Sequence, residues 1–132
     1  MPFLVDASVW IAFVVPEERF HAEATAVIES PRSLRALDLT LYEVANVLGA
    51  RMGERRRAER LSSGIVDRCQ EDLVRVGPEL IEDAVEIAAE HGLTAYDAAY
   101  VAAARHNSWT LVSTDVDDLV SRGLAVAPDA AV

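Results

Sequence analysis

Between Met1 and Val15 the chain offers one ionisable side chain, Asp6, inside Pro-Phe-Leu-Val-Asp-Ala-Ser-Val-Trp-Ile-Ala-Phe-Val-Val. That run reads as a short buried strand, Phe3 to Val5, feeding an apolar helix, Ala7 to Val14, that ends near Pro16. Burying an unpaired carboxylate is costly enough that the group normally takes a proton, pairs with a cation or binds metal. Asp6 therefore attaches a chemical demand to the first turn of the fold.

The same alternation continues along the chain. Leu34–Leu39, Leu73–Val76, Thr110–Ser113 and Leu124–Ala127 read as further strands. Between them lie helical patterns: Glu17–Glu29, a helix from Leu41, an arginine-rich helix after Gly53, and one from Gly77-Pro78 that stops at His91-Gly92. Ala95–Arg105 is apolar on nearly every side and is expected to be a central helix, and Val116–Arg122 a short one closed by Gly123. Strands alternating with helices, without tight hairpin signals, predict an α/β fold with a parallel sheet covered on both faces. At 132 residues and 52% hydrophobic, the expectation is a single domain over residues 1–132.

Composition removes several function classes. The apolar stretch Val9–Val15 is too short to span a bilayer and no basic segment precedes Asp6, so a cytoplasmic protein without a membrane partner is expected. One cysteine, Cys69, can build neither an internal disulfide nor a thiolate zinc site and is read as buried filler. There is no lysine, which excludes Schiff-base chemistry, a Walker A loop and the aspartyl phosphatases that need a partner lysine. The net charge of -10 opposes broad attraction to phosphate. Only residues 51–60 reverse it, with five arginines against two acids; Arg51, Arg55 and Arg56 are candidate RNA contacts there, against the plainer reading of a solvated helix face.

Three further acids, Glu43, Asp97 and Asp115, stand like Asp6 at the start of a helix. Each has a purely structural explanation. Thr40-Leu-Tyr-Glu43 and Thr94-Ala-Tyr-Asp97 both fit a capping box, while Asp6 and Asp115 can cap the helices that follow them. Taken together they imply more, because in an open parallel sheet the helices begin beside the carboxyl ends of the strands, where ligands bind. Four carboxylates in one crevice repel each other unless some protonate or a divalent cation intervenes, and oxygen-only ligation points to Mg²⁺ or Mn²⁺.

Val5-Asp6-Ala7-Ser8, Leu41-Tyr-Glu43-Val-Ala-Asn46-Val-Leu48, Thr94-Ala-Tyr-Asp97-Ala-Ala-Tyr-Val-Ala-Ala and Leu111-Val-Ser-Thr-Asp115 resemble the successive motifs of PIN domains, in particular VapC-type toxins. The resemblance implies a three-layer α/β/α sandwich around a parallel five-stranded sheet. It also implies a Mg²⁺- or Mn²⁺-dependent endoribonuclease acting on single-stranded or loop RNA (tRNA, rRNA or mRNA), a cognate VapB-type antitoxin and a homodimer. Asp6, Glu43, Asp97 and Asp115 match the family's acidic quartet, Ser8 and Asn46 its supporting polar residues, and Ser113 stands where threonine is common. Asp117 is a candidate accessory ligand through water, with Asp118 second to it; both also suit a first helical turn for its dipole alone.

The mechanism that follows is hydrolysis by an activated water rather than by a side-chain nucleophile. The competing function is a catalytically inactive PIN-like interaction module, which the intact quartet argues against. Trp10, Tyr42, Tyr96, Tyr100 and Trp109 are read as core rather than as base-stacking residues, and His21 and His106 as surface residues.

Overall fold

The computed structural model describes residues 1–131. Its first unit is the expected one, β1 (Phe3–Val5) leading into α1 (Ala7–Val14). Side chains along β1 divide between two cores, Phe3 and Val5 on one face and Leu4 on the other, all buried. β2 (Leu34–Leu37) sends Leu34 and Ala36 to the first core and Leu37 to the second, while β4 (Thr110–Val112) sends Val112 to the first and Leu111 to the second. This period of two is what strands covered on both faces require.

The first core is closed by α1, α2 (His21–Glu29) and α4 (Arg55–Cys69), the second by α5 (Pro78–His91) and α6 (Ala95–Asn107). Helices on both faces of one sheet give the three-layer sandwich. α6 is buried without interruption from Ala98 to Ala104, and its alanines let α5 and the sheet approach closely. Among the described residues, no helix is long and apolar enough to cross a membrane.

The sheet has four strands, all parallel, in the order β3 (Leu73–Val74), β2, β1, β4. The fifth strand expected at Leu124–Ala127 does not form. That segment runs beside β4 but shares one bridge with it, Val112 to Val126, through Val126 N donating to Leu111 O at 2.8 Å and Ser113 N donating to Val126 O at 3.0 Å. Gly123, at φ 72°, turns the chain toward β4, and Pro128, which has no N–H, starts α7 (Pro128–Ala131) before a second pair of bonds can form.

Two helix starts also differ from expectation. α2 begins at His21 rather than Glu17, because turns after Pro16 carry the chain down to buried Phe20. His21 is half-buried, not a surface residue, with Nδ1 2.7 Å from the carbonyl oxygen of Ala12. α3 (Leu39–Val44) begins two residues before Leu41 and runs on as a π-helical turn over Ala45–Arg51. Thr40 thus lies inside a helix and cannot cap it.

The loop from α2 to β2 is held from α4. Arg68 donates to the carbonyls of Ile28 at 3.2 Å, Ser30 at 2.9 Å and Arg32 at 3.0 Å, satisfying acceptors that the helix end leaves free. Arg68→Ala is expected to cost about 1.5–3 kcal/mol and to lower Tm by several degrees in a thermal melt, with no recovery in Arg68→Lys, whose single ammonium cannot span three carbonyls. Neighbouring Cys69 is buried, which pushes its thiol up to about 11. It should resist thiol reagents at pH 8 until the protein is unfolded.

Candidate active site

In the order β3-β2-β1-β4, the chain leaves β1 toward one side of the sheet and returns to its other side with β4. The crevice beyond the carboxyl ends of β1 and β4 is therefore a topological switch point, where open α/β sheets bind ligands. Asp6 follows β1 immediately, and Asp115 follows β4 after two residues. Hydrogen bonds stitch the two exits together. Asp6 N donates to Val112 O at 3.2 Å, and Thr114 N donates to Ser8 Oγ at 3.0 Å. Ser8 Oγ in turn donates to Asp6 Oδ1 at 2.5 Å and lies 3.4 Å from Ser113 Oγ, which accepts from Asp115 N at 3.1 Å.

Asp6 also caps α1, accepting from Val9 N at 3.3 Å, and Asp115 caps the π-helical turn Val116–Val120, accepting from Asp118 N at 3.0 Å. Thr94 caps α6 by accepting from Asp97 N at 3.1 Å. Capping and the shared crevice are compatible, since a cap places its carboxylate at the rim where the helix begins.

Glu43 is positioned differently from the expected capping box. Tyr100 Oη donates to Glu43 Oε1 at 2.7 Å and lies 2.6 Å from Thr40 Oγ1, in a buried chain that joins α3 to α6. Burial and the negative charges of Glu43 and Asp6 raise the Tyr100 pKa well above its usual value. The phenol keeps its proton and directs it at Glu43, so Thr40 supplies the proton of the second bond. Tyr100 and Thr40 were missed from sequence; a phenol and a hydroxyl at buried positions of apolar helix faces were the signal.

Electrostatics link the acids in a line. Asp6 is 5% exposed, and desolvation raises its pKa to about 7 against the pull of the Ser113 and Ser8 hydroxyls and the Val9 amide, with a further push from Glu43. Glu43 is raised by burial, opposed by Tyr100 and reinforced by Asp97. Asp97 is raised by burial and then by Asp115 and Asp118. Each carboxylate thus feels the next, from Asp6 through Glu43 and Asp97 to Asp115. The charge reaching Asp97 from the last turn is that of Asp118 rather than Asp117, although both are exposed and Asp118 lies 3.6 Å from Arg122.

Among the described residues, no three Asp, Glu, His or Cys side chains stand close enough together to hold a metal ion by themselves. Mg²⁺ seldom needs that many, since it keeps several waters and takes one or two carboxylates plus phosphate oxygens. A buried carboxylate with only neutral donors, followed by further acids and no cation, fits a hard divalent ion.

Other expected site residues are exposed. Asn46 is exposed on the π-helical turn after α3, and Arg51 is exposed at its end. Arg55 and Arg56 line a groove of about 1220 Å³ with Arg57, Arg60 and an apolar floor that includes Trp10, Phe13 and Val14 of α1. Trp10 and Tyr100 are core residues as expected, but Tyr42 and Tyr96 are 80% and 60% exposed.

Known proteins share this fold. A family model described as PIN domain matches residues 3–122. Ribonuclease VapC3 of Pyrobaculum aerophilum is 39% identical over 121 residues, covering 87% of this chain and 90% of that protein. The crystal structure of PAE2754 from the same organism superposes with a TM-score of 0.74 at 27% identity, over 99% of this chain and 86% of the other. A toxin–antitoxin complex from Klebsiella pneumoniae shares the fold, with a TM-score of 0.69 at 21% identity over 95% of this chain and 96% of that one. The chain belongs to the PIN domain family.

Proposed function

We propose that this protein is a VapC-type endoribonuclease toxin that hydrolyses phosphodiester bonds of single-stranded or loop RNA with Mg²⁺ or Mn²⁺, and that a VapB-type antitoxin restrains it. The observation that carries the reading is the line of mutually repelling carboxylates headed by buried Asp6 at the switch point of the sheet. A structural role alone gives no reason to hold Asp6, Glu43 and Asp97 where each ionises against a neighbouring acid.

One or two of Asp6, Glu43, Asp97 and Asp115 would hold the divalent ion directly and the others through its waters, and the ion when bound would supply an activated water and neutralise charge on the scissile phosphate. The protein's own part is positioning. Ser8 and Val9 fix Asp6 through Oδ1, and Tyr100 fixes Glu43 through Oε1, leaving Oε2 without a protein donor among the described residues. Thr94 anchors the turn that carries Asp97, and Ser113 orients the turn that carries Asp115. Asp118 adds negative field beside Asp97 and is the better placed accessory acid.

The antitoxin's seat is read from the groove beneath the arginines. An apolar floor edged by Arg55, Arg56, Arg57 and Arg60 against Glu29 and Glu54 suits an acidic amphipathic segment better than a sugar–phosphate chain, and the buried Trp10 Nε1 of that floor has no hydrogen-bond partner among the described residues. This moves Arg55 and Arg56 from RNA contact to partner contact. Pairing of two copies belongs to the same proposal, with exposed Ile81 and Val85 on α5 as an apolar stripe for it.

Three outcomes test the reading. Burial raises the Asp6 pKa from 3.8 to about 7, so the folded metal-free protein holds that proton more tightly than the unfolded chain. Stability contributed at low pH is then lost as pH rises through that window. Melts in chelator should show Tm falling between about pH 4 and 7, with Mg²⁺ restoring it above pH 7. Asp6→Asn should flatten this profile, raise the metal-free Tm at pH 8, and reduce RNA cleavage by on the order of 100-fold or more; lower stability with cleavage intact would leave Asp6 a cap only. Chelator should abolish wild-type cleavage and Mn²⁺ should restore it. Finally, Arg55→Glu with Arg56→Glu should weaken antitoxin binding about tenfold or more while the salt slope of RNA binding stays unchanged; a flattened slope would return these arginines to phosphate contact.

A further inference from the structure

The chain has eight aromatic side chains. Phe3, Trp10, Phe20 and Tyr100 are buried, and Phe13 and Trp109 are half-buried. The two left in solvent, Tyr42 and Tyr96, are the residues immediately before Glu43 and Asp97. No other site acid has an aromatic neighbour in sequence. Neither phenol takes part in a hydrogen bond with the protein among the described residues, so no internal contact accounts for their placement.

Helix geometry puts both on one seam. Tyr96 lies one turn before Tyr100 on α6, and residues four apart share a helix face. Tyr100 reaches Thr40 and Glu43 on α3, so Tyr96 continues the same stripe outward toward solvent. Tyr42 adjoins Glu43 in sequence and lies three residues after Leu39, which packs against the core formed by α5 and α6, so it stands at the outer, solvent edge of that seam. Glu43 and Asp97, whose charges oppose each other, occupy this seam.

We propose that Tyr42 and Tyr96 form a base-stacking pair at the mouth of the carboxylate crevice, receiving unstacked nucleobases on either side of the scissile phosphodiester. The inference rests on the nuclease reading and adds how substrate is held. A protein of net charge -10 repels an RNA backbone, and the acidic crevice does so most strongly. Stacking on a neutral phenol ring supplies attraction that does not depend on charge and tolerates any base. Bases inside a duplex are already stacked on each other, so the pair selects single strands and loops. It requires no residue to enter the crevice beyond the phosphate itself.

The test is binding of a labelled single-stranded oligoribonucleotide to Asp6→Asn protein in Mg²⁺, where cleavage does not interfere. Tyr42→Ala and Tyr96→Ala should each weaken binding by about 5- to 150-fold, while Tyr42→Phe and Tyr96→Phe stay within about twofold. An oligonucleotide with one abasic residue at the stacked position should bind the parent as poorly as the intact strand binds the alanine variant, with little further loss when both changes are combined. Both side chains are exposed, so the melts of the variants should match the parent. Alanine variants that bind RNA as the parent does would overturn the stacking pair and leave the nuclease reading standing. Alanine variants that instead change only sedimentation or antitoxin affinity would overturn it in favour of a protein interface. No RNA binding by the parent, together with no cleavage by the wild type, would overturn both.

Discussion

The carboxylate of Asp6 is caught between two demands. Ser8, Ser113 and the Val9 amide favour its charged form, yet burial between β1 and α1 outweighs all three and leaves the proton bound up to about pH 7. Donors without formal charge cannot replace the hydration that a carboxylate loses in such a place. Among the described residues no arginine pairs with it, and the neighbouring charge that it feels is another acid, Glu43. The site is therefore unrelieved by the protein alone. A proton or a bound cation can relieve it, and the proposed function uses the second.

The rest of the fold serves to hold that unrelieved group still. β1 lies inside the sheet, with a parallel partner on each side, so Asp6 leaves a strand whose position is fixed from both directions. The Ser8 bridge to Thr114 ties this exit to the turn carrying Asp115. Across the crevice, the Thr40, Tyr100 and Glu43 chain fixes α3 to α6, and Tyr100 lies three residues after Asp97 on the same helix. Tension among the acids is thus opposed by hydrogen bonds between elements distant in sequence. Repulsion that would otherwise open the crevice is converted into a preference for something positive within it.

How much of this was legible in the sequence depended on the range of the signal. β1, α1, α5 and α6 could be read because their signals are local: an apolar run, a Pro at a helix start, Gly92 in the left-handed region at its end. The four acids could be read because each sits at such a boundary. Thr40 misled because its spacing to Glu43 satisfies a local rule, while its actual partner, Tyr100, is 60 residues away. The fifth strand misled because apolar content at Leu124–Ala127 does not reveal that Pro128 ends its pairing after one bridge. Tyr42 and Tyr96 were assigned to the core because helical spacing gives a periodicity but not which stripe of a helix meets the sheet.

Two surfaces of opposite character result, and their separation has a physical logic. The rim that carries Asp6 is acidic, with Asp6 itself buried, whereas the groove between α1, α2 and α4 has an apolar floor and four arginines along its edge. Had the arginines lain beside the carboxylates, they would have paired with them, lowered the Asp6 pKa and competed with any divalent ion. Kept apart, they leave the acids without an internal counter-charge, and on the proposed function they give a partner protein its own place to bind. Under the proposed function, control by a partner then need not be built from the groups that do the chemistry, and the acidic net charge works against unselective binding of RNA.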